Sequence, residues 1–333
     1  MNDLNARRIR EPQRSRAVWR AADVADPADW TIDFSDDERD EIVAATMRAV
    51  DRGKTIDSLR VEDFALPGLE AKVIDWSDVL DTGRGFLLLR GFPSDGLDPA
   101  SAELAYVGFG LQFGHPVGQD AQANLLGHVR DEGQARTGPG VRIYRTRGRQ
   151  DFHTDGADLV GLLCLHAAAS GGESRIASSA AVYNEMLRRR PDLVEVLYEP
   201  LYWDRNDEQS SGEDPFFALP VFSDVNGAPR TFYIGWYIRD AQRHPGVPRL
   251  TPAQVEAMQL LEAIANDPEF HLEMSFRPGD IQLLNNAKIL HSREAYEDSG
   301  VPDERRHLLR LWLTARRFAG VEEMLRSGIP RRR

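Results

Sequence analysis

From residue 140 onward this chain is a succession of short apolar or alternating runs, each closed by a turn signal, and that pattern leaves few folds open. VRIYRT, LVGLLCLH, ESRIAS, LPVFS, RTFYIGWYI, LEMSF, IQLLN and HLLRLWLTA all have strand length and strand composition. Arg277-Pro278-Gly279-Asp280 marks a turn, and Asn226-Gly227 is a hairpin dipeptide, set in a loop longer than two residues. Helices are fewer but well signed. Ser35 precedes an acidic first turn and Gly53 closes that helix. Asp98-Pro99 opens another, and Thr251-Pro252-Ala253-Gln254 is a capping box with proline at the first helical position. Strands do not alternate regularly with helices, which argues against a doubly wound parallel sheet. The expected fold is a β-rich α+β domain: a double-stranded β-helix (a cupin-like jelly roll) with flanking helices.

Residues 1–34 show no periodicity and are expected to form an N-terminal arm, free to fray. A single domain is expected over residues 35–320, with a partly helical insert at about 180–275, and residues 321–333 form a tail. The basic, polar N-terminus has no apolar stretch behind it, unlike a secretory signal. No apolar run approaches the ~18–20 residues that span a bilayer. A cytoplasmic protein with no membrane partner is expected. Net charge is −12, from 41 basic and 53 acidic residues, which argues against a nucleic-acid partner. It leaves room for a small anionic ligand at a local arginine cluster. Cys164 is the only cysteine, which excludes an intrachain disulfide, and its apolar surroundings suit a buried structural thiol.

In the segment Asp151-Phe152-His153-Thr154-Asp155, an extended backbone turns His153 and Asp155 to the same face. Imidazole plus carboxylate suits Fe(II), Mn(II) or Zn(II), and two histidines with one carboxylate on one face, other positions open, form the ligand set of non-haem Fe(II) oxygenases. A third ligand must come from the histidines at 115, 128, 166, 244, 271, 291 and 307. His115 and His244 precede prolines in turns, and His166 and His271 lie in or beside apolar strands. His291, at the end of IQLLNNAKIL, is the best placed. Further on, Arg306-His-Leu-Leu-Arg310-Leu-Trp312 alternates, so Arg306, Leu308, Arg310 and Trp312 share a face. If the other face packs under helices, the two arginines point inward. A guanidinium there needs an anion, met by a bound dicarboxylate or by an internal salt bridge. Arg142, Arg145, Arg147 and Arg149 could add a basic rim, and Gln119, Asn124 and His128 lie in a loop that could line a substrate pocket.

These motifs resemble the TauD/TfdA (taurine dioxygenase-like) branch of the Fe(II)/2-oxoglutarate dioxygenases, related to the clavaminate synthase-like enzymes. The resemblance runs from about Gly85 to Arg317, with four features in the family's order. They are His153-Thr154-Asp155, Gly171-Gly172-Glu173-Ser174, Pro278-Gly279-Asp280 leading to His291, and Arg305-Arg306-His307-Leu308-Leu309-Arg310. The resemblance implies that His153, Asp155 and His291 hold Fe(II). It implies that Arg306 and Ser174 bind the distal carboxylate of 2-oxoglutarate, with serine where the family often has threonine. Arg310 would lie near the co-substrate or the substrate's anionic group. It further implies O2-dependent hydroxylation of a small molecule, with release of succinate and CO2. Desaturation, ring formation, or a cupin-like isomerase or hydrolase remain as alternatives, and a homo-oligomer (dimer or tetramer) is admitted. Asp155 argues against the halogenases of this family, which lack the carboxylate ligand.

Overall fold

A computed structural model describes residues 10–133, 142–209, 211–225 and 228–315. The alternating runs pair into two main sheets. The larger has seven strands, in the order Thr31–Asp33, Phe86–Arg90, Ile281–Asn285, Leu159–His166, His307–Thr314 and His115–Pro116, with Leu126–Val129 also paired to His307–Thr314. The smaller runs His271–Met274, Ser174–Ser178, Ile289–Arg293 and Gln150–His153, antiparallel throughout. Phe86, Leu88, Val160, Leu284 and Trp312 of the larger sheet share a core with Ile176, Met274 and Ile289 of the smaller.

The period of two explains the layering. Leu87, Leu89, Leu283, Leu309, Leu311 and Leu313 point the opposite way, into a core covered by the helices Asp36–Asp51, Glu70–Asp81 and Pro99–Gly110. Each large apolar side chain buried there contributes roughly 1.5–3 kcal/mol. A one-residue slip would therefore exchange both faces at a cost no short strand could absorb. This is the jelly roll with helical cover that the strand pattern predicts. The expected caps form: Ser35 with Glu38, Asp98 on Ala100 and Ser101, and Thr251 with Gln254. The insert supplies the helices Ser179–Arg189, Pro191–Tyr198, Gly235–Asp240 and Pro252–Asn266, and it packs on Phe152, Ala177 and Leu290 of the smaller sheet.

Three local expectations are corrected. The arm is not free from residue 10 on: Trp19 and Trp30 are buried, and Thr31–Asp33 pairs in parallel with Leu88–Arg90. Trp19 donates to the Arg84 carbonyl, and Ser178 donates to that of Ala17. Widely spaced tryptophans anchor this segment without any helical or strand period, so periodicity could not register it. Residues 142–146 of VRIYRT are not a strand; Ile143–Arg145 is a 3-10 turn, with Arg142 and Arg145 drawn to Glu208 and Glu132, and Val141 lies outside the described residues. RTFYIGWYI leaves the extended state after Ile234, which makes one bridge to His153, and becomes the helix Gly235–Asp240. IQLLN is the expected strand, and after Asn285 the chain turns and crosses from the larger sheet to the smaller. Asn226-Gly227, residues 1–9 and the tail 321–333 lie outside the described residues. Among the described residues, no helix is long and apolar enough to cross a membrane.

Candidate metal centre

The crossover after Asn285 brings the distal histidine to the proximal one. Ile289–Arg293 lies beside Gln150–His153 with His291 directly opposite His153, and a bulge follows between His291 and Arg293. Asp155 sits just past the strand end, where Asn286 in the crossover fixes its backbone. The Asp155 N–H donates to Asn286 Oδ1 at 2.7 Å, and Asn286 Nδ2 donates to the carbonyls of Asp155 and Ala157. The result is a buried cluster of His153, Asp155 and His291 whose ligand atoms lie within 4.8 Å of one another. His153 Nε2 is 3.8 Å from Asp155 Oδ1, and His291 Nε2 is 3.6 Å from Oδ2. These gaps are too wide for hydrogen bonds and suit three atoms arranged around one cation.

Protonation is set for ligation. His153 Nδ1 lies 2.9 Å from the Asp151 carbonyl, which can only accept, so Nδ1 carries the proton and Nε2 keeps its lone pair. Burial, then repulsion from His291, pushes His153 down to about 3, so the ring is neutral at pH 7. Burial opposes ionisation of Asp155, but Arg310 and the two histidines outweigh it and hold the carboxyl well below the usual carboxylate range. Trp312 Nε1 donates to Asp155 Oδ2 at 2.9 Å. Arg310 approaches both carboxylate oxygens at 3.4 and 3.5 Å while its Nε donates to Gln119 Oε1 at 2.8 Å. Arg310, expected near the co-substrate or substrate, is thus also bound to the carboxylate of the cluster.

Two cavities meet at this centre. One runs past Ser174 to Arg306, with Phe276, Leu162 and Leu308 as apolar walls. Arg306 is 4% exposed and stacks over Tyr296 at 4.9 Å. Its Nη1 has no hydrogen-bond partner among the described residues, and Tyr296, Cys164 and Asp298 are the groups that favour its charge. Burial lowers its pKa. A cation left in this state is a socket for an anion. Ser174 donates to Gln282 at 3.1 Å beside it. Arg293, which the motifs did not single out, enters the same cavity and donates to the Thr146 and Gly148 carbonyls. The donor set and this unpaired guanidinium fit a divalent iron with a dicarboxylate alongside.

The other cavity is walled by Tyr144, Trp236, Tyr237 and Trp312, with Arg142 and Arg310 as its cations. The expected basic rim reduces to one residue. Arg142 alone enters, paired to Glu208, while Arg145, Arg147 and Arg149 are matched by Glu132, Asp131 and Asp151. Gln119 serves Arg310, Asn124 bonds to Asp120, and His128 lies in a separate groove against His307. Cys164 is buried, and burial pushes its thiol up to about 12.

Residues 53–312 match the family described as taurine catabolism dioxygenase TauD, TfdA family. The chain is 32% identical to FR-33289 synthase of Streptomyces rubellomurinus over 92% of this chain and 91% of that protein. It is 31% identical to taurine hydroxylase-like protein SAT17 of Stachybotrys chartarum over 88% of this chain and 77% of that one. In fold it resembles asparagine oxygenase, solved with Fe(II), 3-hydroxyasparagine and succinate (TM-score 0.67, 16% identity, 86% of this chain and 93% of that one). It also resembles the non-haem iron oxygenase OrfP, solved with iron and alpha-ketoglutaric acid (TM-score 0.63, 14% identity, 85% and 94%).

Proposed function

The chain belongs to the TauD/TfdA family of non-haem iron, 2-oxoglutarate-dependent dioxygenases, and from that premise we propose a role for each residue of the centre. His153, Asp155 and His291 hold Fe(II). Arg306 and Ser174 receive the far carboxylate of 2-oxoglutarate, and Arg310 steadies Asp155 while presenting its charge to both cavities. The enzyme hydroxylates a C–H bond of a small substrate, with release of succinate and CO2. Bound at this centre, iron supplies the activation of dioxygen.

The chain's own residues supply position and exclusion. Asp151 fixes the His153 tautomer and Asn286 fixes the Asp155 backbone. Trp236 lies edge-on to His153 with ring centroids 4.9 Å apart and shields that side of the centre. The aromatic cavity with Arg142 and Arg310 suits a compact substrate that is anionic or amino-acid-like. Related proteins include uridine-5'-phosphate dioxygenases, and the asparagine oxygenase and OrfP structures hold hydroxylated amino acids, all small polar molecules. A dissolved metabolite as substrate and a cytoplasmic location complete the reading, with the net charge of −12 disfavouring a nucleic-acid substrate.

The observation that carries this reading is the pairing of the cluster with an unpaired, buried Arg306 in one cavity. The test is succinate formation from 2-oxoglutarate by the Fe(II)-loaded protein, against a panel of small carboxylates, phosphonates, sulfonates and amino acids. One class should stimulate turnover with one succinate per oxidised substrate. Failure of the loaded protein to bind 2-oxoglutarate would sink the assignment.

A further inference from the structure

Gln150 opens the strand that ends on His153, and it belongs to none of the motifs. Its side chain is buried, and its Nε2 lies 3.1 Å from His153 Nε2. The Asp151 carbonyl keeps the imidazole proton on Nδ1, so His153 Nε2 has only a lone pair to offer. The carboxamide is therefore the donor. That lone pair is also the one through which His153 would ligate a metal. An amide N–H and a cation cannot share it.

Position adds a second argument. Gln150, Tyr144 and Arg310 are the residues outside the cluster that border both cavities. Arg310 is engaged by Gln119 and Asp155, and Tyr144 lies against its guanidinium at 4.6 Å. Gln150 alone of the three loses a hydrogen bond when His153 turns to a metal. Its backbone has little freedom to follow: Arg293, its cross-strand neighbour, ties the preceding loop through Thr146 and Gly148. The response must come from the side chain itself.

We propose that Gln150 is a latch at the metal face, its amide holding His153 Nε2 until a metal takes that nitrogen and then being free to donate to 2-oxoglutarate in the cavity that Gln150 borders. This rests on the reading of the cluster as an iron site. The latch opposes metal loading and then favours 2-oxoglutarate, so removing it moves the two steps in opposite directions. Loss of packing or of fold would weaken both.

The experiment compares wild type with Gln150→Met, which keeps the length without the donor, and with Gln150→Ala. Thermal melts establish that each variant is folded. Anaerobic Fe(II) titration against a chelator reads the first step, and titration of the loaded protein with 2-oxoglutarate, followed by visible absorption, reads the second. Both variants should bind Fe(II) about three- to tenfold more tightly, the scale of one ordinary hydrogen bond. They should bind 2-oxoglutarate about three- to tenfold more weakly, with a displaced absorption band. Unchanged or weaker Fe(II) binding, or an unchanged 2-oxoglutarate titration, overturns the latch. If His291→Ala binds Fe(II) as wild type does, the iron site itself fails, which is a different result from a silent Gln150.

Discussion

Trp312 donates its indole N–H to Asp155 Oδ2 at 2.9 Å, across 157 residues of sequence. Together with Arg310 it fixes the one carboxylate of the cluster between the two histidine nitrogens. Groups that orient metal ligands in this way typically matter by 10- to 100-fold in metal affinity. Trp312→Phe keeps most of the buried ring and removes the donor. Fe(II) affinity should fall by about 10- to 100-fold while the melting temperature drops by only a few degrees. Unaltered metal affinity in a folded Trp312→Phe protein would show that Arg310 alone holds the carboxylate.

Arg306 offers a test in which stability and function part company. A buried guanidinium without an ion pair is a cost to the ligand-free fold, so Arg306→Met should leave the melting temperature unchanged or raise it. The same change should weaken 2-oxoglutarate binding by at least about 30-fold, corresponding to about 2 kcal/mol or more for a lost buried ionic partner. Calorimetry of the two proteins with and without 2-oxoglutarate measures both.

The arginines near the metal should divide sharply. Arg142 reaches the aromatic cavity, whereas Arg147 is half exposed and paired with Asp131. Arg142→Met is expected to raise the substrate KM by about tenfold or more while the KM for 2-oxoglutarate stays within about twofold. Arg147→Glu should leave both constants within about twofold. Equal effects at the two positions would return the basic rim to consideration.

His307 gives a pH signature away from the centre. Burial, then His128, Arg130 and His166, pushes its pKa down to about 4, from an unfolded value of about 6.5. Between those values the unfolded chain binds more protons, so stability falls as pH drops from about 6.5 to about 4. The loss should be roughly 1–3 kcal/mol after allowance for partial exposure, and His307→Gln should flatten that part of the curve. Urea melts of both proteins across this range decide it.

The sequence was most readable where one period ruled one segment. LVGLLCLH became the strand Leu159–His166 residue for residue, and alternation alone put Arg306, Arg310 and Trp312 on one inward face. It was least readable where a distant partner decides the local state. The Asn285–Asn286 turn looks polar and unremarkable, yet it both crosses the sheets and fixes Asp155. VRIYRT alternates like a strand, but its residues 142–146 form a 3-10 turn in which Arg142 and Arg145 pair with the distant Glu208 and Glu132. Trp312 had a predictable direction, but nothing local indicated that Asp155 would be its acceptor. Gln150 had no signal beyond standing three residues before His153.

The most direct test of the central claim is the anaerobic absorption spectrum of the protein loaded with one equivalent of Fe(II) and titrated with 2-oxoglutarate. His153, Asp155 and His291 as the iron ligands predict a visible metal-to-ligand charge-transfer band that saturates at one 2-oxoglutarate per chain. The band should be absent in folded His153→Ala. A wild-type protein that binds Fe(II) yet develops no band, or a His153→Ala protein that retains it, would contradict the account.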